Sequence, residues 1–312
     1  MLVVTFHRSH ARIIRDYMPR SLYYCFFAPD ICMVLFFTHI PFVVNHTINA
    51  TPPERLQHLF AVYLDELSIQ LGSARVGCTV GNMVVNHRKF ADEICVFSPS
   101  ISGLQCLLNI CGDYAAEHEI SFNCNKTIGV IFCPKKYKQP APSNVFLNGV
   151  RVQFLNQVKY LGVWINAALK DDDDIQRQVK SLYWAANKLR GTFDQCTPAV
   201  KNTLFRAYCM PMYACQLWSK YTQTSMKRLR AAYNNTHRIM HYIPRNVSVR
   251  PRQVSHCVRT FDAVLRNNLY RFIMLCTSSY NFFIRSIQMS DAFYKSSFFF
   301  IYSTRLCGDQ MQ

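Results

Sequence analysis

Two adjacent acids, Asp92 and Glu93, are the residues of this chain best suited to chemistry, because they lie between two short apolar segments. Neighbouring carboxylates repel each other, so stability alone gives no reason to place them there. Carboxylates held on a rigid turn can bind the two Mg²⁺ ions that clamp the attacking and leaving oxygens of a phosphoryl transfer. A solvated acidic turn without function is the alternative, and the dipeptide by itself favours that alternative.

The segments around these acids predict a hairpin between two helices. Residues 83–90 and 94–97 are rich in valine and aromatic residues, as strands are. Before them, the apolar residues over 59–67 predict a helix that ends at Gly72. After them, apolar residues recur at helical spacing over 104–114, which predicts a second helix.

The rest of the chain predicts two more strands and then helices. Strand composition returns at residues 128–133 and 158–165. Four aspartates at 171–174 precede an amphipathic helical pattern, and we expect them to cap the positive end of that helix, with cation binding as the alternative. Pro198 opens another helix, and residues 225–242 form a third. This order predicts an α+β fold rather than a repeat array.

The formal net charge of +17 arises from 35 Lys and Arg against 18 Asp and Glu, which predicts a polyanionic partner. Nucleic acid is the first candidate and an anionic membrane the second. Residues 195–261 contain no acid, and residues 195–312 carry 16 basic residues against three aspartates. We therefore expect nucleic acid to bind along the helix over 225–242 and just beyond it, through the basic residues Lys227, Arg228, Arg230, Arg238 and Arg245.

Cysteine usage and hydropathy predict the compartment. The 14 cysteines are scattered and form no CxxC pair, which argues against a zinc ribbon. Dispersed cysteines in a basic chain of this size are typical of a reduced intracellular protein, in the nucleus or the cytoplasm. The apolar stretch over 22–44 is interrupted by Asp30, His39 and Pro41, and its longest uncharged piece is too short to span a bilayer. We therefore expect no membrane partner.

The order of several short motifs resembles the reverse transcriptases of non-LTR retrotransposons. Residues 90–93, Phe-Ala-Asp-Glu, are similar to the aromatic-Ala-Asp-Asp signature of that family, and residues 59–67 are similar to the palm helix before it. The later matches, in chain order, are Gly103-Leu104-Gln105 in the helix after the hairpin, Phe122 to Lys126 in the lysine segment, Tyr160-Leu161-Gly162 in the primer-grip turn, and Leu204 to Tyr208 with Leu217-Trp218 in the thumb and connection.

The resemblance covers residues 59–252 and implies an α+β fold of a particular kind. That fold is a partial right-hand polymerase palm, an antiparallel sheet with helices, followed by a helical thumb-like region. The expected domains are an unassigned leader over 1–58, the partial palm over 59–165, the thumb and connection over 166–260, and a C-terminal helical or irregular tail over 261–312.

The resemblance also implies an activity. Members of this family are RNA-directed DNA polymerases, which use Mg²⁺ to add deoxynucleotide triphosphates to a DNA primer on an RNA template. Carried over by position, Asp92 and Glu93 would bind the metal ions and catalyse the transfer, and Lys126 would contact the incoming nucleotide. The primer end would be positioned by three consecutive residues, Tyr160, Leu161 and Gly162.

Several departures from the family pattern argue against that activity. The second hairpin acid of the family is Asp, whereas the extra methylene of Glu93 moves the carboxylate by about one bond length. The glycine-rich loop has no counterpart in residues 51–58, and Asp30 is the only upstream candidate for the first catalytic Asp. Taken alone, Lys126 is an ordinary surface lysine and Gly162 a strand bulge.

These observations predict a truncated polymerase that has lost its catalysis. The alternative is a basic remnant that binds nucleic acid without chemistry, and a membrane-associated protein anchored by residues 21–44 is a third possibility. Primer extension separates the first two, since both predict salt-sensitive binding. The sequence leaves the oligomeric state open.

Overall fold

The computed structural model describes residues 32–37, 62–80, 83–90, 93–133, 144–296 and 299–300. The described residues divide into two compact units. The first contains residues up to 158 together with residues 280–300, and the second contains residues 159–279. The mixture of helices and strands is compatible with an α+β fold. Among the described residues, none of the helices combines the length and the apolar character needed to cross a membrane.

The first unit is built on a five-stranded sheet. The described strands of this unit, in chain order, are β1 (Cys32–Phe37), β2 (Cys78–Val80), β3 (Met83–Val85), β4 (His87–Phe90), β5 (Glu93–Ser98), β6 (Ile128–Phe132), β7 (Phe146–Leu147), β8 (Val150–Arg151) and β9 (Gln153–Phe154). The sheet has the order β4-β5-β1-β6-β9, and β1 pairs antiparallel with both β5 and β6. Its central strand therefore comes from the leader, where the sequence predicted no element.

Two helices cover one face of this sheet. They are α1 (Asp65–Ser73) and α2 (Ile101–Glu117), and their apolar residues form one buried cluster with Ile94 and Val96 of β5 and Ile131 of β6. With α1 before the β4-β5 hairpin and α2 after it, the order of the central strands is that of a split β-α-β arrangement. The helix-covered face therefore holds the core of this unit.

The two predicted helices of this unit are confirmed, with one difference. Ser100 begins α2 by accepting a hydrogen bond from the backbone N–H of Gly103 at 3.1 Å. The prediction that Gly72 closes α1 is wrong, because the helix continues through Ser73 and its cap is Ala74. A left-handed glycine is one common way to end a helix but is not required.

The predicted strand over 83–90 is two strands. Met83–Val85 pairs with β2, whereas His87–Phe90 pairs with β5. The break falls at Asn86, whose buried side-chain amide donates a hydrogen bond to the carbonyl oxygen of Leu71 at 2.5 Å. A polar side chain that bonds to a helix end interrupts the pairing of one continuous strand.

The second unit is mostly helical and carries one hairpin. Strands β10 (Gln157–Tyr160), which crosses the division between the units, and β11 (Val163–Asn166) form the hairpin. The helices are α3 (Asp172–Phe193), α4 (Pro198–Tyr208), α5 (Gln223–His241), α6 (Arg250–Ser255) and α7 (Phe261–Thr277). The apolar sides of α3, α4, α5 and α7 share one buried cluster, which confirms the predicted helices of this region.

Residues 280–300 return to the first unit as two short helices. These are α8 (Phe282–Gln288) and α9 (Asp291–Tyr294). The ring of Phe283 in α8 lies 3.6 Å from the guanidinium carbon of Arg88 in β4. Arg88 is paired with Cys95, on the sheet face opposite the one that α1 and α2 cover. The C-terminal segment thus packs against part of the helix-free face.

Candidate functional site

The predicted hairpin is present, and Glu93 begins its second strand. The cross-strand pair Phe90 and Glu93 closes it, while Ala91 and Asp92 lie outside the described residues. Glu93 alternates with Ile94, so it is on the face opposite α1 and α2. The structure therefore places one of the two predicted metal ligands, partly exposed, at the end of the sheet.

The sheet register brings a second predicted site residue to the same end. Phe36 of β1 is paired with Cys95 on one side and with Ile128 on the other. Glu93 comes two residues before Cys95, and Lys126 two residues before Ile128. Because β5 and β6 both flank β1, the backbones of these two positions are separated by about two strand spacings, roughly 10 Å.

A short helical turn presents Lys126. The turn spans Cys124–Lys126, and the side chain of Asn123 caps it by accepting a hydrogen bond from the backbone N–H of Lys126 at 3.2 Å. Lys126 is exposed, so its ammonium group can reach a phosphate. The interpretation as an ordinary surface lysine is equally compatible with this exposure.

The central strand supplies no carboxylate to this end of the sheet. Residues Cys32–Phe37 contain no acid, and Phe37, the last of them, is paired with Ile94 beside Glu93. Asp30 precedes the other end of the strand in sequence and lies outside the described residues. A carboxylate that completed a metal site with Glu93 would have to come from residues after Phe37.

The predicted primer-grip residues form the tight turn of the β10-β11 hairpin in the second unit. Leu161 and Gly162 both have positive φ, 46° and 77°, as a type I′ hairpin turn requires. The hydroxyl of Tyr213 donates a hydrogen bond to the carbonyl oxygen of Leu161 at 2.7 Å. Tyr160 is buried below the turn. The expectation of one strand over 158–165 with a bulge at Gly162 is therefore wrong.

The four aspartates at the start of α3 bind the segment 218–222 rather than their own helix. Asp171 is fully buried, and its Oδ2 accepts hydrogen bonds from the backbone N–H groups of Ser219 and Lys220 at 2.7 and 2.6 Å. Oδ1 of Asp172 accepts from the N–H and the hydroxyl of Thr222 at 3.0 and 2.7 Å. The predicted capping is wrong, since the side chain of Asp171, at the cap position, makes no capping bond.

Asp174 is the most heavily bonded of these acids. Its side chain is fully buried and accepts hydrogen bonds from the Trp218 indole at 2.9 Å and from the backbone N–H of Trp164 at 3.1 Å. Arg177 adds two bonds at 2.6 and 3.2 Å, and also donates to the carbonyl oxygen of Tyr213. These protein donors occupy both carboxylate oxygens, so the alternative of a cation site gains no support here.

Hydrogen bonding also sets the protonation of Asp172. Burial by itself raises its pKa, but the hydrogen bonds from Ser225 and Thr222 and the nearby charge of Lys170 outweigh burial and lower the pKa below its ordinary value. Asp172 is thus ionised at neutral pH. The aspartates act as structural acceptors that hold the chain after Trp218 against the start of α3.

The predicted nucleic-acid residues on and after α5 differ in availability. Arg230 forms an ion pair with Asp262 at 2.7 Å, and Arg238 donates to the carbonyl oxygen of Val247 at 3.1 Å. The side chains of Lys227, Arg228 and Arg245 are exposed, and none takes part in a hydrogen bond or ion pair within the described chain.

Part of this chain is similar to a transposon polymerase. The relative is the probable RNA-directed DNA polymerase from transposon X-element of Drosophila melanogaster, with 27% identity over 166 residues. The similarity covers 48% of this chain but 18% of the relative, so the chain spans about a fifth of the length of the curated protein it matches. No protein-family model matches the chain. The similarity to the X-element polymerase supports a reverse-transcriptase-like function.

Sequence reasoning missed one group of residues that the X-element similarity does not explain. His237, His241 and His256 lie together in the second unit, and their ring nitrogens fall within 4.8 Å of one another. The spacing of four residues between His237 and His241, within a predicted helix, is the signal that could have found the first two. His256 comes from a separate helix and carries no such signal.

Proposed function

We propose that this chain is part of a reverse transcriptase of the non-LTR retrotransposon type and that it binds a primer–template without extending the primer. The first unit would correspond to the palm and the second to the thumb. The observation that carries the proposal is the convergence of Glu93 and Lys126 at one end of a sheet whose central strand is flanked by the acidic hairpin.

The residues at this end do not fit a two-metal site. Two Mg²⁺ ions need several carboxylate oxygens, and Mg²⁺ demands nearly ideal octahedral geometry. The neighbouring strand β1 has no acid, and the hairpin carries Glu93 where the family has Asp. We therefore derive no catalytic step through a metal and propose that polynucleotide binding is the function that persists.

The charge distribution of the second unit supports binding. Exposed Lys227, Arg228 and Arg245 lie in a segment without acids, so no neighbouring carboxylate in the sequence from 195 to 261 opposes a phosphate. Contacts between such residues and phosphates release counterions, which makes binding depend on salt and only weakly on sequence.

Two assays on the full chain test the two halves of the proposal. Primer extension on an RNA template with Mg²⁺ or Mn²⁺ should give no product, while an RNA–DNA hybrid should bind with an affinity that falls as salt rises. Extension of the primer would contradict the loss of catalysis. A chain that neither extends nor binds would overturn the proposal as a whole.

A matched pair of double variants locates the binding surface. Lys227→Gln with Arg228→Gln should lower the slope of log affinity against log salt by about 1.4, which is about 0.7 for each lost contact on a single strand. The control, Lys180→Gln with Lys188→Gln, removes the same charge from exposed positions of α3. Equal slopes for both variants would mean that overall charge, rather than α5, determines binding.

A further inference from the structure

Three histidines converge in the second unit. His237 and His241 are four residues apart on α5 and therefore lie on the same side of that helix. His256 immediately follows α6 and brings its ring to the same place. The ring centroids are 4.6 Å apart for His237 and His241, 4.8 Å for His241 and His256, and 5.7 Å for His237 and His256.

The cluster contains buried nitrogens that lack hydrogen-bond partners within the described chain. They are both ring nitrogens of His237, Nε2 of His241 and Nδ1 of His256. Buried polar side-chain atoms in folded proteins are nearly always satisfied, and an exception of this kind points to a missing water or ion. Here the unsatisfied atoms of three separate rings face one another.

The protonation of these rings suits a metal ligand. Burial, reinforced by the neighbouring histidines and by Arg238, lowers the pKa of His237 to about 3. Burial also lowers the pKa of His241 to about 4, with contributions from His256 and from the charges of Lys201 and Arg252. Both rings are therefore neutral at pH 7, which is the form that binds metal ions.

The surrounding structure holds the rings in place. Phe205 packs edge-on against His237, with ring centroids 5.1 Å apart. The carbonyl oxygen of His256 accepts a hydrogen bond from Arg206 at 2.8 Å, and the chain then buries Val258 in the core. The geometry is therefore fixed from both sides, by α5 and by the anchored turn after α6.

We infer that His237, His241 and His256 bind one transition-metal ion, with Zn²⁺ as the physiological candidate. Imidazole suits Zn²⁺, Cu²⁺ and Ni²⁺, and three histidines with an open fourth position make a known type of zinc site. At a Zn–N distance of 2.0–2.1 Å the nitrogens of a tetrahedral site are about 3.3 Å apart. Binding thus draws the rings together from their present separation of up to 4.8 Å.

The neighbouring cations determine the character of this site. Lys201 and Arg252 act on His241 and are positively charged, so they oppose the bare dication and favour a negatively charged fourth ligand such as hydroxide. The ion would join α5 to the turn after α6. It would therefore tie together two segments that the sequence separates by α6 and its preceding loop.

Metal binding by the full chain tests the inference. The purified protein, stripped with a chelator and dialysed against Zn²⁺ or Co²⁺ alone, should take up one equivalent that resists washing. His256→Gln should lower the affinity by at least about tenfold, because even the loss of a supporting hydrogen bond around a metal ligand costs that much. His241→Gln should do the same, and tryptophan fluorescence should report a folded second unit for both variants.

Two controls separate the histidines from other ligands. Cys257→Ser removes the exposed thiol next to His256, and His118→Gln removes a histidine of the first unit. Both control variants should keep the bound equivalent. A folded wild-type chain that takes up no tightly bound ion would overturn the inference, as would equal losses in the control and ligand variants.

Discussion

Replacing Asp174 with alanine should destabilise the second unit more than any other change at the start of α3. The side chain is fully buried and accepts four hydrogen bonds, from the Trp218 indole, the backbone N–H of Trp164 and two nitrogens of Arg177. Alanine removes the acceptor and leaves all of these donors in place. The variant therefore tests whether the aspartates hold the unit together.

The magnitude follows from the donors that lose their partner. A buried neutral donor left unsatisfied costs about 1–3 kcal/mol, and Trp218 and Trp164 each supply one. Breaking a buried ion pair costs about 3–5 kcal/mol. That figure must be discounted here because the side chain of Arg177 is 19% exposed and can turn to water. The terms overlap, so we expect a total loss of about 4–6 kcal/mol in the free energy of unfolding.

Urea unfolding followed by tryptophan fluorescence is the assay. Trp164, Trp184 and Trp218 all belong to the second unit, so the signal reports that unit alone. Asp173→Ala is the matched control, because Asp173 is exposed and accepts a bond from Asn166 at 2.6 Å, which should be worth less than about 1 kcal/mol. Similar losses for the two alanine variants would refute the role of Asp174.

Three further changes test other parts of the fold. Gly162→Ala should cost about 1 kcal/mol or more, because φ is 77° and the new Cβ would lie 3.2 Å from Tyr213; urea unfolding measures it, and an unchanged midpoint would contradict the turn. Burial and then the charges of Arg88 and Lys89 lower the pKa of His87 from 6.5 to about 4, so the unfolded chain takes up this proton first and stability should fall from pH 6.5 to 4. Circular dichroism should show a smaller fall for His87→Gln. Tyr233→Phe should cost about 1 kcal/mol by removing the hydroxyl bond to the chain, and a neutral result would mean that water replaces it.

Local patterns predicted the helices of this protein well. The apolar spacing over 104–114 and 225–242 is a property of each segment by itself, and both helices form where that spacing lies. The hairpin beside Asp92 was predictable for the same reason, since valine and aromatic runs on both sides of a polar turn are local signals.

Features that depend on distant partners were not predictable. The run Cys32–Phe37 is apolar throughout, without the alternation that marks a half-buried strand, so its place at the centre of the sheet could not be read from the sequence. The aspartates at 171–174 looked like a helix cap because their true partners, at 218–222, are far along the chain. His256 joins His237 only through the fold, for the same reason.

The discontinuity of the first unit determines when each unit can be completed during synthesis. The second unit, residues 159–279, is continuous and can finish as soon as its last residue leaves the ribosome. The first unit must wait for residues 280–300, although most of it is made before residue 159. At about 5–20 residues per second, its helix-free sheet face stays uncovered at Arg88 for roughly 10 s or more. A nascent chain therefore exposes this face to ribosome-associated chaperones, or to other chains, until Phe283 emerges.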